Sequence, residues 1–527
     1  MENTSSYVDT NGYHIHESNI TNTEKLLIKS TLNVSPKNFG FVGTGDNKSK
    51  YKLYKLVKGE YWLPRYWAEN IFGKAEKYKF KKNKVNLEFN GKLREKQQNI
   101  IDKSYDHLKK FGGGLISVGC GGGKTVMGIY LACKLKKKCL VVVHKNFLQD
   151  QWIERIKQFT NARVGIIRQN KCEIENTDIV IASIQTISKR KFGKKIFKNF
   201  GFVIYDEAHH VSSKYFSKSL LQTNCKYTLA LTATPYRKDG LIDVMYWFLG
   251  NCIYKDNVKI NKNVIVKNIF FDSIDPLFKL KKKWLRIGNK GKLISDTGGM
   301  TTNFCKIESR NNLIVNIIKN IVNDKRRKIL ILSGRKEHLK ILKSSTDKVM
   351  ENNNPHNLTT CFYHGELSEK ERKYTEKFGD IIFGTYALAE EGLDIPRLNT
   401  IIFSTSIKDI TQSVGRILRQ ILQQGNVKPL VIDLVDNFPT FIQHNKERSK
   451  FYKKAKYSCD NYNTLDNEFI KCSIEEILNI PDITEEDLVE ETNIDFNTYL
   501  KDCSEDKYES NNEFNNNNLN MKKNLFI

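Results

Sequence analysis

From about Leu87 the chain alternates between short apolar runs and amphipathic stretches of helical length. The runs at 114–118, 139–143, 178–181, 202–205 and 227–231 hold few polar residues. Runs of that kind are expected to be parallel strands buried on both faces. A second set lies at 328–332, 360–363, 380–383, 400–403 and 429–434. Two sets of about five strands predict an α/β protein of two tandem, doubly wound parallel sheets. Residues 1–35 are polar and are expected to be irregular or disordered. Residues 36–86 form a small accessory domain in this reading. Its aromatic and basic stretch contains Tyr61, Trp62, Pro64, Arg65, Tyr66 and Trp67. These rings are first of all candidate core, and they also suit stacking on bases beside Lys and Arg that pair with phosphates. Residues 87–252 make the first lobe, 253–310 a basic connecting segment and 311–450 the second lobe. Residues 451–527 make an acidic, Asn-rich and partly disordered tail, low in complexity at 511–520.

With 39% hydrophobic and 28% charged residues, the chain can bury real cores. It has no apolar run of 18 residues and no basic-then-apolar leader. A soluble, intracellular protein without a membrane partner is therefore the expectation. The net charge is +27, and it is unevenly distributed. From Asp460 onward 17 acidic residues face five Lys and no Arg, a net −12 that leaves +39 on the remainder. A basic body attracts phosphate backbones, although Lys- and Asn-rich composition alone produces the same excess. The 11 Cys include no C-x-x-C pair, which gives a zinc or redox site little support.

Gly119-Cys120-Gly121-Gly122-Gly123-Lys124-Thr125 follows the first predicted strand and opens a helix. Glycines let backbone N–H groups close around phosphates, and a helix N-terminus favours anions. Lys124 is placed to reach the β- and γ-phosphates of ATP, and the Thr125 hydroxyl to bind Mg2+. The strict phosphate-loop pattern asks for Gly at position 118, where this chain has Val118. Asp206-Glu207-Ala208-His209 follows another strand. Asp206 is the expected Mg2+ holder and Glu207 the general base for water. Gln97, near Arg94, has an amide able to pair with adenine. Thr232-Ala233-Thr234-Pro235 offers two hydroxyls that can link the γ-phosphate to a second site, or simply cap a turn.

In the second lobe, Gln412-Ser413-Val414-Gly415-Arg416-Ile417-Leu418-Arg419 puts two Arg three apart on one helix face. A guanidinium there can stabilise a transferring phosphoryl group. Gly384-Thr385 and Glu391-Gly392-Leu393-Asp394-Ile395-Pro396 lie upstream.

Taken in order, these motifs resemble a superfamily 2 helicase with a DEAH box, over about 93–434. The resemblance implies two RecA-like lobes that close around one ATP. It implies adenine recognition by Arg94 and Gln97, and a nucleotide site of Gly119 to Thr125 with Asp206. It adds Gly392, Asp394, Gln412, Arg416 and Arg419 as nucleotide contacts from the second lobe. Lys124, Glu207, Arg416 and Arg419 become the catalytic group, Thr125 and Asp206 the metal holders, and Thr232 and Thr234 the coupling pair. His144-Lys145 with Gln151-Trp152, Ser183-Ile184-Gln185-Thr186 and Tyr236-Arg237-Lys238-Asp239-Gly240 are similar to XPB-like helicases. They look most like the transcript-release DNA helicases of poxviruses and other large DNA viruses, and Ser413 fits that branch. The resemblance implies nucleic-acid contacts near Lys145, Gln185, Thr186, Gly334, Arg335 and Thr385, and transcription machinery as a partner. It implies a host-cytoplasmic or virion location. DNA is the expected polymer; an RNA helicase of the same fold, or a silent DNA-binding scaffold, are the alternatives.

Overall fold

The computed structural model describes residues 6–36, 50–81, 84–119, 121–190, 192–193, 196–233, 240–256, 263–287, 290–352, 354–388, 393, 395–418, 424–466 and 468–484. The chain forms two compact units, Met1–Asp256 and Asn257–Ile527. Among the described residues, no helix is long and apolar enough to cross a membrane.

In the first unit, α1 (Arg65–Phe72) precedes the main sheet and α2 (Glu95–Phe111) leads into it. The strands are β1 (Gly113–Ser117), β2 (Cys139–Val143), β3 (Val164–Arg168), β4 (Lys171–Cys172), β5 (Ile179–Ser183), β6 (Phe202–Asp206), β7 (Tyr227–Thr232) and β8 (Cys252–Lys255). Their order is β4-β3-β5-β2-β6-β7-β1-β8, and every pairing but β3–β4 is parallel. The helices α3 (Lys124–Leu135), α4 (Asn146–Phe159), α5 (Ile184–Lys189) and α6 (Ile242–Leu249) connect or flank them. β1, β2, β5, β6 and β7 are buried throughout, which is why each reads as an unbroken apolar run.

Residues 6–34 correct the sequence reading, because they are regular. Ser6–Asp9 and Gly12–His16 join Lys55–Val57, Glu60–Leu63 and Lys77–Tyr78 in a five-stranded sheet. Helix Asn22–Thr31 opens with a capping box between Thr21 and Glu24. Strands of four or five residues are too short to show a period. Their inward residues Val8, Tyr13 and Ile15 are separated by polar ones. Tyr61, Tyr66 and Trp67 are buried, so the core reading of these rings holds. Val8, Tyr13, Ile28 and Trp67 share one apolar cluster with Leu140, Val203 and Phe248. The N-terminal module and the first sheet therefore form one body.

The second unit holds β9 (Ile265–Asp272), β10 (Ile329–Ser333), β11 (Thr360–Tyr363), β12 (Ile381–Thr385), β13 (Thr400–Phe403), β14 (Leu430–Asp436), β15 (Ser458–Leu465) and β16 (Glu468–Phe469). Their order is β11-β12-β10-β13-β14-β9-β15-β16, parallel except at β15–β16. Its helices include α7 (Glu308–Ile321), α8 (Lys336–Asn352), α9 (Glu369–Phe378), α10 (Thr411–Val414) and α11 (Pro439–Lys454).

Two further expectations are corrected here. The segment 253–310 is no mere connection: it supplies β8, β9, a hairpin of Lys282–Ile287 with Lys290–Ser295, and helix Thr297–Phe304. The tail from 451 is not all tail, because β15 pairs with β9 along eight residues. The polar residues that disguised both strands answer each other. Lys267 Nζ donates to Asp460 Oδ2 at 2.7 Å, and Asn268 Nδ2 to Asn461 Oδ1 at 2.9 Å.

Candidate functional site

The parallel register brings three strand ends together. Thr232 stands opposite Ser117, and Asp206 opposite Leu231. The Gly-rich loop after β1, Asp206-Glu207 after β6 and Thr232 on β7 therefore share one edge of the first sheet. Gly121 and Gly123 have φ of 78° and 81°. A side chain is strained at either position, and a Cβ at Gly123 would lie 2.0 Å from Gln97 Nε2. Gly123 is also the N-cap of α3 and gives it no side-chain cap. The first N–H groups of a twelve-residue helix thus face outward from a bare cap, and that donor set fits phosphate oxygens.

Gln97 is buried and bonds at both ends of its amide. Its Oε1 accepts from Arg94 N at 2.9 Å, and its Nε2 donates to Gly122 O at 3.2 Å. The amide braces the loop in addition to any base it reads. Lys124 Nζ donates to Val118 O at 3.1 Å. Asp206 accepts from Trp152 Nε1 at 2.7 Å and from Glu207 N at 3.0 Å. Burial, then the charge of Glu207, raise its pKa above the ordinary carboxylate value. A divalent cation would offset that penalty, which fits the expectation of Mg2+ at Asp206. Glu207 sits at φ 46°, a strained conformation for this residue type. Among the described residues its buried Oε2 takes no hydrogen bond, and His209 Nδ1 approaches it at 3.4 Å. His209 Nδ1 also lies 3.1 Å from Thr232 Oγ1.

Trp152 and His209 are site residues that the motif reading left without a role. His209 was visible in the tetrapeptide after β6. Trp152 lies 54 positions from Asp206, and only the fold joins them. Cys120, Thr234, Gly392, Asp394 and Arg419, with 236–239, lie outside the described residues.

The expected nucleic-acid contacts of the first unit also gather at strand ends. Ser183 stands opposite Val143, which brings Gln185 and Thr186 to the same sheet edge as Lys145. Gln185 Nε2 donates to His144 O, and Thr186 Oγ1 accepts from Gln169 N at 3.0 Å. In the second unit Gly334 and Arg335 follow β10, and Thr385 ends β12, opposite Ser333. Gly334 N donates to Thr405 Oγ1 at 2.8 Å. The Arg335 guanidinium donates to Gly298 O at 3.0 Å and Thr302 Oγ1 at 3.1 Å. Gln412 lies on α10, but that helix ends at Val414. This corrects the expectation of one helix face, since Arg416 N already bonds Ser413 O in a tighter turn. Arg416 is buried and donates from Nη1 to Leu393 O at 2.7 Å.

Two family descriptions match the chain: Type III restriction enzyme, res subunit, over residues 90–237, and Helicase conserved C-terminal domain over 310–420. Protein L396 of Acanthamoeba polyphaga mimivirus, named for ATP-dependent RNA helicase activity, is 33% identical over 91% of this chain and 93% of its own. Protein 161L of Invertebrate iridescent virus 6, named as a helicase, is 31% identical over 78% of this chain and 91% of its own. A fragment of an HsdR subunit of a type I restriction enzyme from Vibrio vulnificus is 15% identical, with a TM-score of 0.50. That alignment covers 73% of this chain and 71% of the fragment, and it shares the two RecA-like lobes.

Proposed function

This chain belongs to the superfamily 2 helicases, ATP-dependent enzymes of nucleic acid, and we propose that it uses its ATP to move along or unwind DNA. The observation that carries the reading is the meeting of the loop 119–125, Asp206-Glu207 and Thr232 on one sheet edge. In this proposal the loop N–H groups and Lys124 hold the phosphates. Thr125 and Asp206 hold Mg2+, which supplies charge neutralisation on the phosphoryl oxygens. Glu207 accepts a proton from the attacking water, whose oxygen bonds to the γ-phosphorus as the bond to ADP breaks. Arg416 and Arg419, with Gln412, Gly392 and Asp394, are assigned to the nucleotide from the second unit. The Glu207–His209–Thr232 chain is the proposed route by which the γ-phosphate state reaches residues bound to the polymer. Thr234 is assigned to the same coupling.

The restriction-enzyme family description over 90–237 supports DNA as the polymer. The name of the mimivirus relative favours a second reading, RNA. Lys145, Gln185, Thr186, Gly334, Arg335 and Thr385 are the proposed polymer contacts in either case. A role beside transcription machinery, and the DEAH-box, XPB-like subtype, rest on the motif resemblance. Steady-state ATPase of wild type and Glu207→Gln, with single-stranded DNA, duplex DNA and RNA, tests the reading. DNA stimulation that the variant abolishes is expected; stimulation by RNA alone moves the assignment to the second reading. Lys124→Ala is expected to hydrolyse ATP at background rate, and full turnover in that variant removes the loop from the mechanism.

A further inference from the structure

The N-terminal module and the first sheet line an open cavity of about 330 Å3 on the sheet edge opposite the nucleotide loop. Its position follows from the topology. Gly112 precedes β1, Lys137 precedes β2 and Lys226 precedes β7, all at N-terminal strand ends. The last turn of α2 adds Lys109, Lys110 and Phe111, and the module adds Lys74, Tyr78 and Phe80. Strands of about five residues at roughly 3.3 Å each separate this edge from the nucleotide loop by about 16 Å.

The chemistry of the walls is specific. The one carboxylate among them, Glu69, is already engaged by Arg65 Nε at 2.9 Å and by Tyr78 OH at 3.0 Å. Arg65 is itself held against the Cys225 and Lys226 carbonyls, each at 3.1 Å. Among the described residues, Lys109, Lys110, Lys137 and Lys226 form no ion pair. Burial and the charges of Lys226, Lys84 and Lys109 hold the Lys137 pKa below its ordinary value. This cluster stores like-charge repulsion that an anion relieves. Two rings at the cavity keep part of their surface open, Tyr78 at 42% and Phe111 at 47%, with Arg65 over Tyr78 and with His107 and Lys110 against Phe111.

We propose that this cavity seats a single-stranded nucleic acid, with Lys109, Lys137 and Lys226 on a phosphate and Phe111 and Tyr78 stacked on flanking bases. Interleaved ammoniums and exposed rings fit a strand better than an acidic peptide, which would leave the rings unused. A cavity of this size lies at the lower end of the ~300–1,000 Å3 usual for small ligands, enough for about one nucleotide unit. The assignment rests on the helicase reading and adds a second grip, away from the strand ends that carry Lys145, Gln185 and Thr186. A grip there holds the strand independently of the nucleotide state.

The test uses the full chain and labelled oligo-dT and oligo-rU of about 20 nucleotides, followed by anisotropy across salt concentrations. Lys109→Glu with Lys226→Glu is expected to weaken binding at least ~10-fold and to make the salt slope shallower by about 0.7, the contribution of the one phosphate they hold. Phe111→Ala is expected to weaken binding several-fold with its slope unchanged, since it removes stacking and no charge. ATPase without nucleic acid is expected to be unchanged in both. Wild-type affinity and slope in the double variant overturn the assignment. If the double variant misfolds, Phe111→Ala decides, and wild-type affinity there overturns the proposal. Failure of wild type to bind either oligonucleotide would remove the reading beneath it; binding by wild type with unchanged variants removes the cavity alone.

Discussion

Burial works against Asp206. Its pKa is raised by desolvation and by Glu207, so its folded state binds a proton more readily than an exposed carboxyl does. The penalty is absent below the ordinary carboxyl value, grows as pH rises above it and is complete once pH passes the raised value. Asp206→Asn is therefore expected to melt at a higher temperature than wild type at pH about 8, with the gap closing toward pH about 4. The same variant is expected to lose ATP hydrolysis; thermal melts against pH, beside an ATPase assay, check both. His338 shows the opposite sign. It is buried between Ser333 Oγ and Asn311 Oδ1, at 3.0 Å each. Burial, then the charge of Arg310, push its pKa from 6.5 down to about 3. Stability is full above 6.5 and is lost as pH falls toward 3, by about 2 kcal/mol at pH 5. Urea titrations at the two pH extremes are expected to show that loss in wild type and a smaller one in His338→Gln.

At the scale of elements, the second sheet depends on polar pairs made between elements. Arg448 of α11 donates to both oxygens of Asp433 on β14, at 2.7 and 2.8 Å, with both groups buried. Arg448→Met leaves Asp433 without its cation and is expected to cost about 3–5 kcal/mol in denaturant unfolding. β15 makes a sharper case. A chain ending at Lys456 lacks that strand and leaves the whole length of β9 as an open edge. It is expected to be insoluble, whereas a chain ending at Thr484 is expected to be soluble and active. Nine of the ten strands legible in the sequence are buried along almost their whole length, and burial there demands unbroken apolar runs, while the edge strand β11 alternates. β9 and β15 were not legible, since Lys267 and Asn268 break the run on one strand and their partners are polar on the other. The phosphate loop and Asp206-Glu207 were legible because glycines and adjacent carboxylates are local signals. Trp152 stands in a motif but nothing local joins it to Asp206, and Gln97's bond to Gly122 is made 25 positions away. Helical spacing of two Arg says nothing about where Gly415 ends the turn, so α10 stops short of both.

For the whole molecule, charge is the organising quantity. The body before Asp460 carries +39. A polymer held by about 6–10 phosphate contacts is expected to lose ~10³-fold or more in affinity between about 50 and 200 mM salt. Residues 485–527 hold 11 acidic residues against four Lys. Their removal is expected to raise affinity for DNA at low salt and to change nothing at high salt, which the same titration reads. The position of β9 has a further consequence, for synthesis. Its neighbours β14 and β15 lie more than 150 residues downstream. At ~5–20 residues per second a ribosome takes on the order of ten seconds or more to deliver them. Throughout that interval an apolar strand, Ile265 to Asp272, has emerged with both edges open. The second unit cannot close from its beginning; it waits for the last strands translated. Slow codons between positions 272 and 458 would therefore lengthen exposure to aggregation and to chaperones, with no amino acid changed.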